Sequence, residues 1–254
     1  MAGFAALAAE LDAWQNAGKS ATLWLRDDDA ALVMPELERL LALSGALNVP
    51  LCLAAIPMAA SPALARALAR RPTVAVAVHG HAHRNHAAPG EKKAELGPAR
   101  PVGEMVRELE SGLARMGRMF GTLLRPVLVP PWNRIAAELV LALPAIGFRG
   151  LSTFGARQSA HPAAGLLQVN SHVEAINWKA GGVAAAPGAI FAGLAGHLRA
   201  RRLGEADGAE PTGLLTHHKI MKENDFFALQ RILAAISAHP AARWLTLDEA
   251  FPGP

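Results

Sequence analysis

Short apolar runs alternate with longer helix-patterned stretches along almost the whole chain. The runs are residues 21–26, 50–56, 73–78, 126–129, 147–153, 166–170, 213–216 and 243–247. Between them, apolar residues recur at helical spacing over 34–46, 61–70, 102–120, 135–146, 190–202 and 225–239. A strand that returns to its sheet through a helix must lie parallel to its predecessor, because only a crossover brings the chain back to the same end. Seven or eight such repeats within 254 residues predict an α/β fold, a distorted TIM-like barrel of seven or eight parallel strands in one domain over 1–254. An open doubly wound sheet is the competing arrangement. Phe4, Leu7, Leu11 and Trp14 mark a further amphipathic helix before the first strand. No linker divides the chain; 204–213 reads as a surface loop, and 87–101 as a loop long enough to serve a site.

About half the residues (52%) are apolar, enough for a large core without crosslinks. The one cysteine, Cys52, excludes an internal disulfide and lies in the run 50–56, where a thiol packs as a small apolar group. The net charge of +4 is scattered. Its densest cluster, Arg199, Arg201 and Arg202, follows a helical pattern without interleaved aromatics, so no nucleic-acid partner is expected. The first residues lack a basic leader, Glu10 and Asp12 come early, and no apolar run could span a bilayer. A cytoplasmic location without a membrane partner is the default expectation, and oligomeric state is not legible.

Polar residues gather where the strands end. Asp27-Asp28-Asp29 closes the first run, His79-Gly80-His81-Ala82-His83-Arg84-Asn85-His86 the third, Pro130-Pro131-Trp132-Asn133-Arg134 the fourth and His217-His218-Lys219 the seventh. In a β/α barrel these ends share one mouth, where such folds place catalytic groups. Three adjacent carboxylates repel one another, so either a cation offsets them or they are a solvated loop or helix cap. His79 and His83, four residues apart, can present two imidazoles to one ion, and Gly80 permits a sharp exit from the strand. His81 and His86 remain spare. Two imidazoles and one carboxylate leave an open position on a divalent ion, the pattern of a catalytic centre. A base and an acid are then required, and Asp28 and His217 are the candidates.

These motifs resemble the polysaccharide deacetylases, the NodB-homology proteins of carbohydrate esterase family four. The resemblance covers most of the chain in order. In that family an Asp-Asp pair supplies first the base and then a ligand, which in the frame Arg26-Asp27-Asp28-Asp29 implies Asp28 as base and Asp29 as ligand; a shift by one gives Asp27 and Asp28. His79-Gly80-His81-Ala82-His83 matches His-(Ser/Thr)-x-x-His, with Gly at the hydroxyl position. Leu214-Leu215-Thr216-His217 matches Leu-x-x-His and implies His217 as the acid; Leu215 to His218 also matches. Two departures stand out. Val129 occupies the place of the family's Arg that pairs with the base, leaving Arg26 or Arg134 as replacements, and the acidic-before-Trp motif is only hinted at by Ile176-Asn177-Trp178. The resemblance implies one divalent metal on Asp29, His79 and His83, with zinc the default and cobalt or nickel as alternatives. It implies hydrolysis of an acetamide on a carbohydrate or small molecule, with Trp132, Asn133 and Arg26 contacting substrate. Two alternatives are a His79-x-His81 metallohydrolase of amidohydrolase or phosphoesterase type, and a metal- or carbohydrate-binding protein without turnover.

Overall fold

A computed structural model describes residues 2–253. In chain order the strands are β1 (Ala21–Ala30), β2 (Leu51–Ala55), β3 (Val74–His79), β4 (Leu124–Val129), β5 (Gly150–Leu151), β6 (Leu167–Gln168), β7 (Val173–Glu174), β8 (Ile176–Asn177), β9 (Val183–Ala184), β10 (Thr212–Thr216) and β11 (Ala242–Trp244). The helices are α1 (Ala2–Asn16), α2 (Pro35–Leu47), α3 (Pro62–Leu68), α4 (Val102–Phe120), α5 (Ala137–Ala142), α6 (Pro187–Leu203), α7 (Glu223–Ser237) and α8 (Leu247–Ala250). The main sheet is parallel and runs β6-β5-β4-β3-β2-β1-β10-β7, with β11 beside the start of β1; β8 and β9 form a separate antiparallel hairpin.

The sheet curls into a distorted barrel because one passage serves both of its edges. Leu167–Gln168 pairs with β5, and Val173–Glu174, six residues later, pairs with β10. Between them Ser171 N–H donates to Thr153 on one side and His172 N–H to Gly213 on the other. The offset along a single stretch reflects strands tilted across the barrel. Gly213 stands at the tightest approach: a Cβ there would lie 2.6 Å from Ser171 Cα. The apolar run 166–170 was expected as one strand; it is the first half of this two-sided closure.

Alternation along the strands sorts side chains into two layers. Leu23, Leu25, Leu51, Leu53, Val74 and Val76 pack outward against the helices. Trp24, Cys52, Ala54, Ala77, Val127, Val129 and Val169 fill the inside, joined by α8. Burial pushes the Cys52 thiol far above its ordinary range, consistent with packing. Two elements differ from expectation. The C-terminal run ends early as β11 and turns into α8 through a Thr246/Glu249 capping box. Phe4, expected on the buried stripe of α1, is 49% exposed, while Leu7, Leu11 and Trp14 are buried. Among the described residues no helix is long and apolar enough to cross a membrane.

The start of β10 carries a buried polar cluster. The His172 and His197 rings stack at 3.6 Å, His197 Nδ1 lies 2.9 Å from Thr212 Oγ1, and Arg201 donates to Thr22 and Thr212. Burial first, then His172 and Arg201, push His197 down to about 3. An unfolded histidine takes a proton near pH ~6.5, so the folded state resists a proton that the unfolded state accepts. Stability is therefore expected to fall as pH drops from about 6.5 towards 3, and His197→Gln to flatten part of that slope in urea melts. Equal slopes in both proteins would remove His197 from this role.

Candidate active site

The pleat of β1 divides the acidic triplet. Trp24, Arg26 and Asp28 share the inner face, while Asp27 points outward. Asp27 accepts from Thr216 Oγ1 at 2.7 Å and His218 N–H at 2.9 Å, and pairs with His218 Nδ1, all buried. Asp28 ion-pairs with Arg26 through Nε to Oδ1 at 3.0 Å and Nη2 to Oδ2 at 3.1 Å. The triplet was expected to follow the first strand; instead β1 continues to Ala30 across a register shift between Asp27 and Ala30. Within that shift Asp29 adopts φ 72°, which sends its carboxylate to a third destination.

That destination is the pair His79 and His83, each with Nε2 3.1 Å from Asp29 Oδ1. The three donor atoms lie within 4.8 Å of one another. His79 Nδ1 faces the Val129 carbonyl at 3.0 Å, and a carbonyl can only accept. The proton of a neutral His79 therefore sits on Nδ1, and the Nε2 lone pair faces a carboxylate oxygen. Two acceptors at that distance need a positive charge between them, supplied either by a metal ion or by the second proton of an imidazolium. Burial raises the Asp29 carboxyl, but the His79 and His83 imidazoles outweigh it and hold it far below the usual range. Donor spacings near 3 Å suit an ion whose bonds to N and O are about 2.0–2.2 Å.

The 80–84 loop that delivers His83 is moulded around Glu95. This carboxylate, 1% exposed, accepts from the backbone N–H groups of His81 (2.9 Å), Ala82 (2.8 Å) and Arg84 (3.1 Å). Gly80 has φ +58°, and a Cβ there would fall 2.1 Å from Glu95 Oε2 and 2.5 Å from Pro131 Cδ. The carboxylate thus occupies the space of a side chain at position 80. Glu95→Gln offers one acceptor oxygen where two are used and is expected to weaken zinc or cobalt binding about 10–100-fold, the usual scale for a residue that orients a ligand. Titration calorimetry checks this; unchanged affinity would show that the loop holds its shape without the carboxylate.

Across the mouth, His217 Nδ1 lies 3.2 Å from Glu174 Oε1, and the Trp178 ring meets its imidazole edge-on at 5.0 Å. Burial opposes the imidazolium, but Glu174, Asp28 and Asp27 outweigh it and push His217 up to about 9. His218, the alternative in the shifted frame, is wholly buried against Asp27. Trp132 lies against His83 with centroids 4.4 Å apart, and Asn133 Oδ1 accepts from Arg26 Nη2 at 2.7 Å.

Arg26 is a correction. It was expected to contact substrate, but it is 0% exposed and spends its donors on Asp28, Asn133 and Ser152. It thereby supplies the partner of Asp28 that Val129 cannot. Arg134, the other replacement considered, donates instead to the Lys93 carbonyl in the long loop. His81 faces Glu108 at 3.9 Å and turns away from Asp29, so His79 and His81 are not a ligand pair; His86 is exposed.

Glu174 and Glu95 were missed. Glu174 stands four residues before Trp178, outside the Ile176-Asn177-Trp178 segment that hinted at the acidic-before-Trp motif. Glu95 carries no motif; only its buried position reveals it. Asp29, His83, Trp132 and Asn133 are four of five positive-φ non-glycine residues among those described, and all four sit at this mouth. Such strain persists where surrounding structure over-determines it, and it clusters at functional sites.

No protein-family model matches the sequence, and no curated protein matches it. The fold does match solved structures. A proposed polysaccharide deacetylase from Mycobacterium smegmatis aligns at 17% identity and TM-score 0.63, covering 91% of this chain and 88% of that one. A family 4 carbohydrate esterase from Streptomyces lividans, solved with acetate, aligns at 17% identity and TM-score 0.57 over 87% and 90%. A family 4 acetyl xylan esterase from Clostridium thermocellum, solved with a cobalt ion, aligns at 13% identity and TM-score 0.55 over 91% and 90%. The chain thus has the polysaccharide-deacetylase barrel at an identity that speaks for the fold alone.

Proposed function

We propose that this chain is a metal-dependent hydrolase that removes an acetyl group, N-linked or O-linked, from a carbohydrate. The observation that carries the reading is the convergence of the Asp29 oxygen and the His79 and His83 nitrogens, with His79 Nδ1 at the Val129 carbonyl so that Nε2 faces the carboxylate. These three residues would hold the ion, with zinc the default and cobalt or nickel alternatives. When bound, a divalent ion there would acidify a water and polarise the substrate carbonyl. Asp28, kept in place by Arg26, takes the proton of the attacking water, and His217 gives a proton to the leaving group. Glu174 holds His217 in its charged form until that step. Trp132 lines the mouth as an apolar platform for a sugar face, and Asn133 braces Arg26.

The Arg26–Asp28 pair argues against a binding protein without turnover, because the one feature favouring that reading was a missing Arg. The decisive experiment measures metal content by elemental analysis and acetate release from N-acetylated chitooligosaccharides. About one divalent ion per chain is expected in the wild type, none in Asp29→Ala, and acetate release only from the loaded wild type. Wild-type protein that takes up no zinc, cobalt or nickel would end the proposal.

A further inference from the structure

The mouth has an unusual rim for a site that handles a sugar. Leu32 (57% exposed) follows β1, Met58 (55%) follows β2, Phe154 (44%) follows β5, Trp178 and Val183 (50% each) lie in and beside the β8–β9 hairpin, and Ile220 (36%) follows β10. Two are tied to the site loops by backbone bonds: Met58 N–H donates to the His81 carbonyl and Ile220 N–H to the His217 carbonyl. Most of the large apolar side chains that this chain leaves in water therefore stand around one opening. Scattered exposed apolar residues need no explanation, but a group gathered at one end of a barrel marks an interaction surface.

The charge of the same loops selects the partner. Residues 31–34, 56–61, 130–136, 152–161 and 175–186 contain no Asp or Glu, and neither do 217–222. Exposed cations stand there and in the neighbouring His loop: Arg84, Lys179, Lys219 and Lys222. The exposed acids that flank these loops are Glu223, which opens α7 directly after Lys222, and Glu91 in the long 87–101 loop. A groove for a free oligosaccharide would offer carboxylates and amides to sugar hydroxyls. An apolar rim whose loops carry more exposed cations than acids is complementary to an anionic lipid surface, where alkyl chains take the apolar groups and headgroup phosphates take the cations.

We propose that this rim seats the barrel mouth on an anionic bilayer, so that the acetylated sugar reaches Asp29, His79 and His83 from a lipid that carries it. The substrate half of this inference rests on the hydrolase reading above; the docking half does not. The sequence led to the expectation of no membrane partner because that expectation looked for a continuous apolar segment. A surface assembled from separate loops leaves no such segment.

Flotation of the full chain with vesicles tests the docking. Vesicles of phosphatidylcholine with about one third phosphatidylglycerol are expected to carry the protein at 0.1 M NaCl, and pure phosphatidylcholine vesicles to leave it behind. Raising NaCl to 0.5 M is expected to weaken the association. Lys179→Glu with Lys219→Glu, and separately Leu32→Asp with Met58→Asp, are each expected to lower partitioning at least 10-fold while circular dichroism and the melting temperature stay at wild-type values. Absence of flotation with anionic vesicles, or unchanged flotation in both double variants, overturns the proposal. Zinc titration of the same proteins separates the two readings: vesicle binding without metal binding defeats the hydrolase alone, and metal binding without vesicle binding defeats the docking alone.

Discussion

His217→Ala is expected to lower turnover about 10²–10⁴-fold, the range for loss of a positioned general acid, while the protein keeps its metal. The split follows from geometry, since the His217 nitrogen faces Glu174 and is not among the converging donor atoms of Asp29, His79 and His83. Pushed up to about 9, the imidazole is protonated at neutral pH and can give a proton away. A bound dication opposes that charge, so the loaded value lies lower. The rate should then fall on the alkaline side as His217 loses its proton. Glu174→Gln removes the strongest partner of the imidazolium, so the alkaline limb of kcat/KM should move to lower pH. Elemental analysis and a pH profile check both statements. Metal loss in His217→Ala would make it a ligand, and an unmoved limb in Glu174→Gln would free His217 from that carboxylate.

Arg26→Met is expected to destabilise the fold by about 3–5 kcal/mol, the scale for removing one partner of a buried ion pair. The guanidinium is wholly buried and bridges Asp28, Asn133 and Ser152, so its loss leaves a buried carboxylate and two polar groups without partners. Arg26→Met with Asp28→Leu removes both charges and should recover part of the loss, because replacing both partners by apolar groups costs less than orphaning one. Neither variant should release acetate. Urea melts of the wild type, the single and the double variant decide the matter. A single variant as stable as wild type would mean that Asp28 finds another partner or water.

The barrel was legible because the alternation of apolar runs and helical patterns is a local property repeated along the chain. Errors fell where pairing replaces pattern. The run 166–170 reads as one strand, yet it is half of a passage that serves both β5 and β10. The run 243–247 reads as a strand, but Thr246 and Glu249 cap a helix there.

Residue type and spacing alone singled out as candidates the histidines of the third strand end, the acidic triplet and the histidine pair after the seventh, because residues able to bind metal or transfer protons are few and their positions after strands can be counted. What each carboxylate does depended on the tertiary structure. Asp27, Asp28 and Asp29 are chemically identical, and only the pleat of β1 and one left-handed turn send them to His218, to Arg26 and to His79 with His83. Likewise Arg26, Glu95 and Glu174 take their roles from partners far along the chain. Long-range pairs of this kind leave no period in a sequence, since they arise from which strand ends the closed barrel brings together.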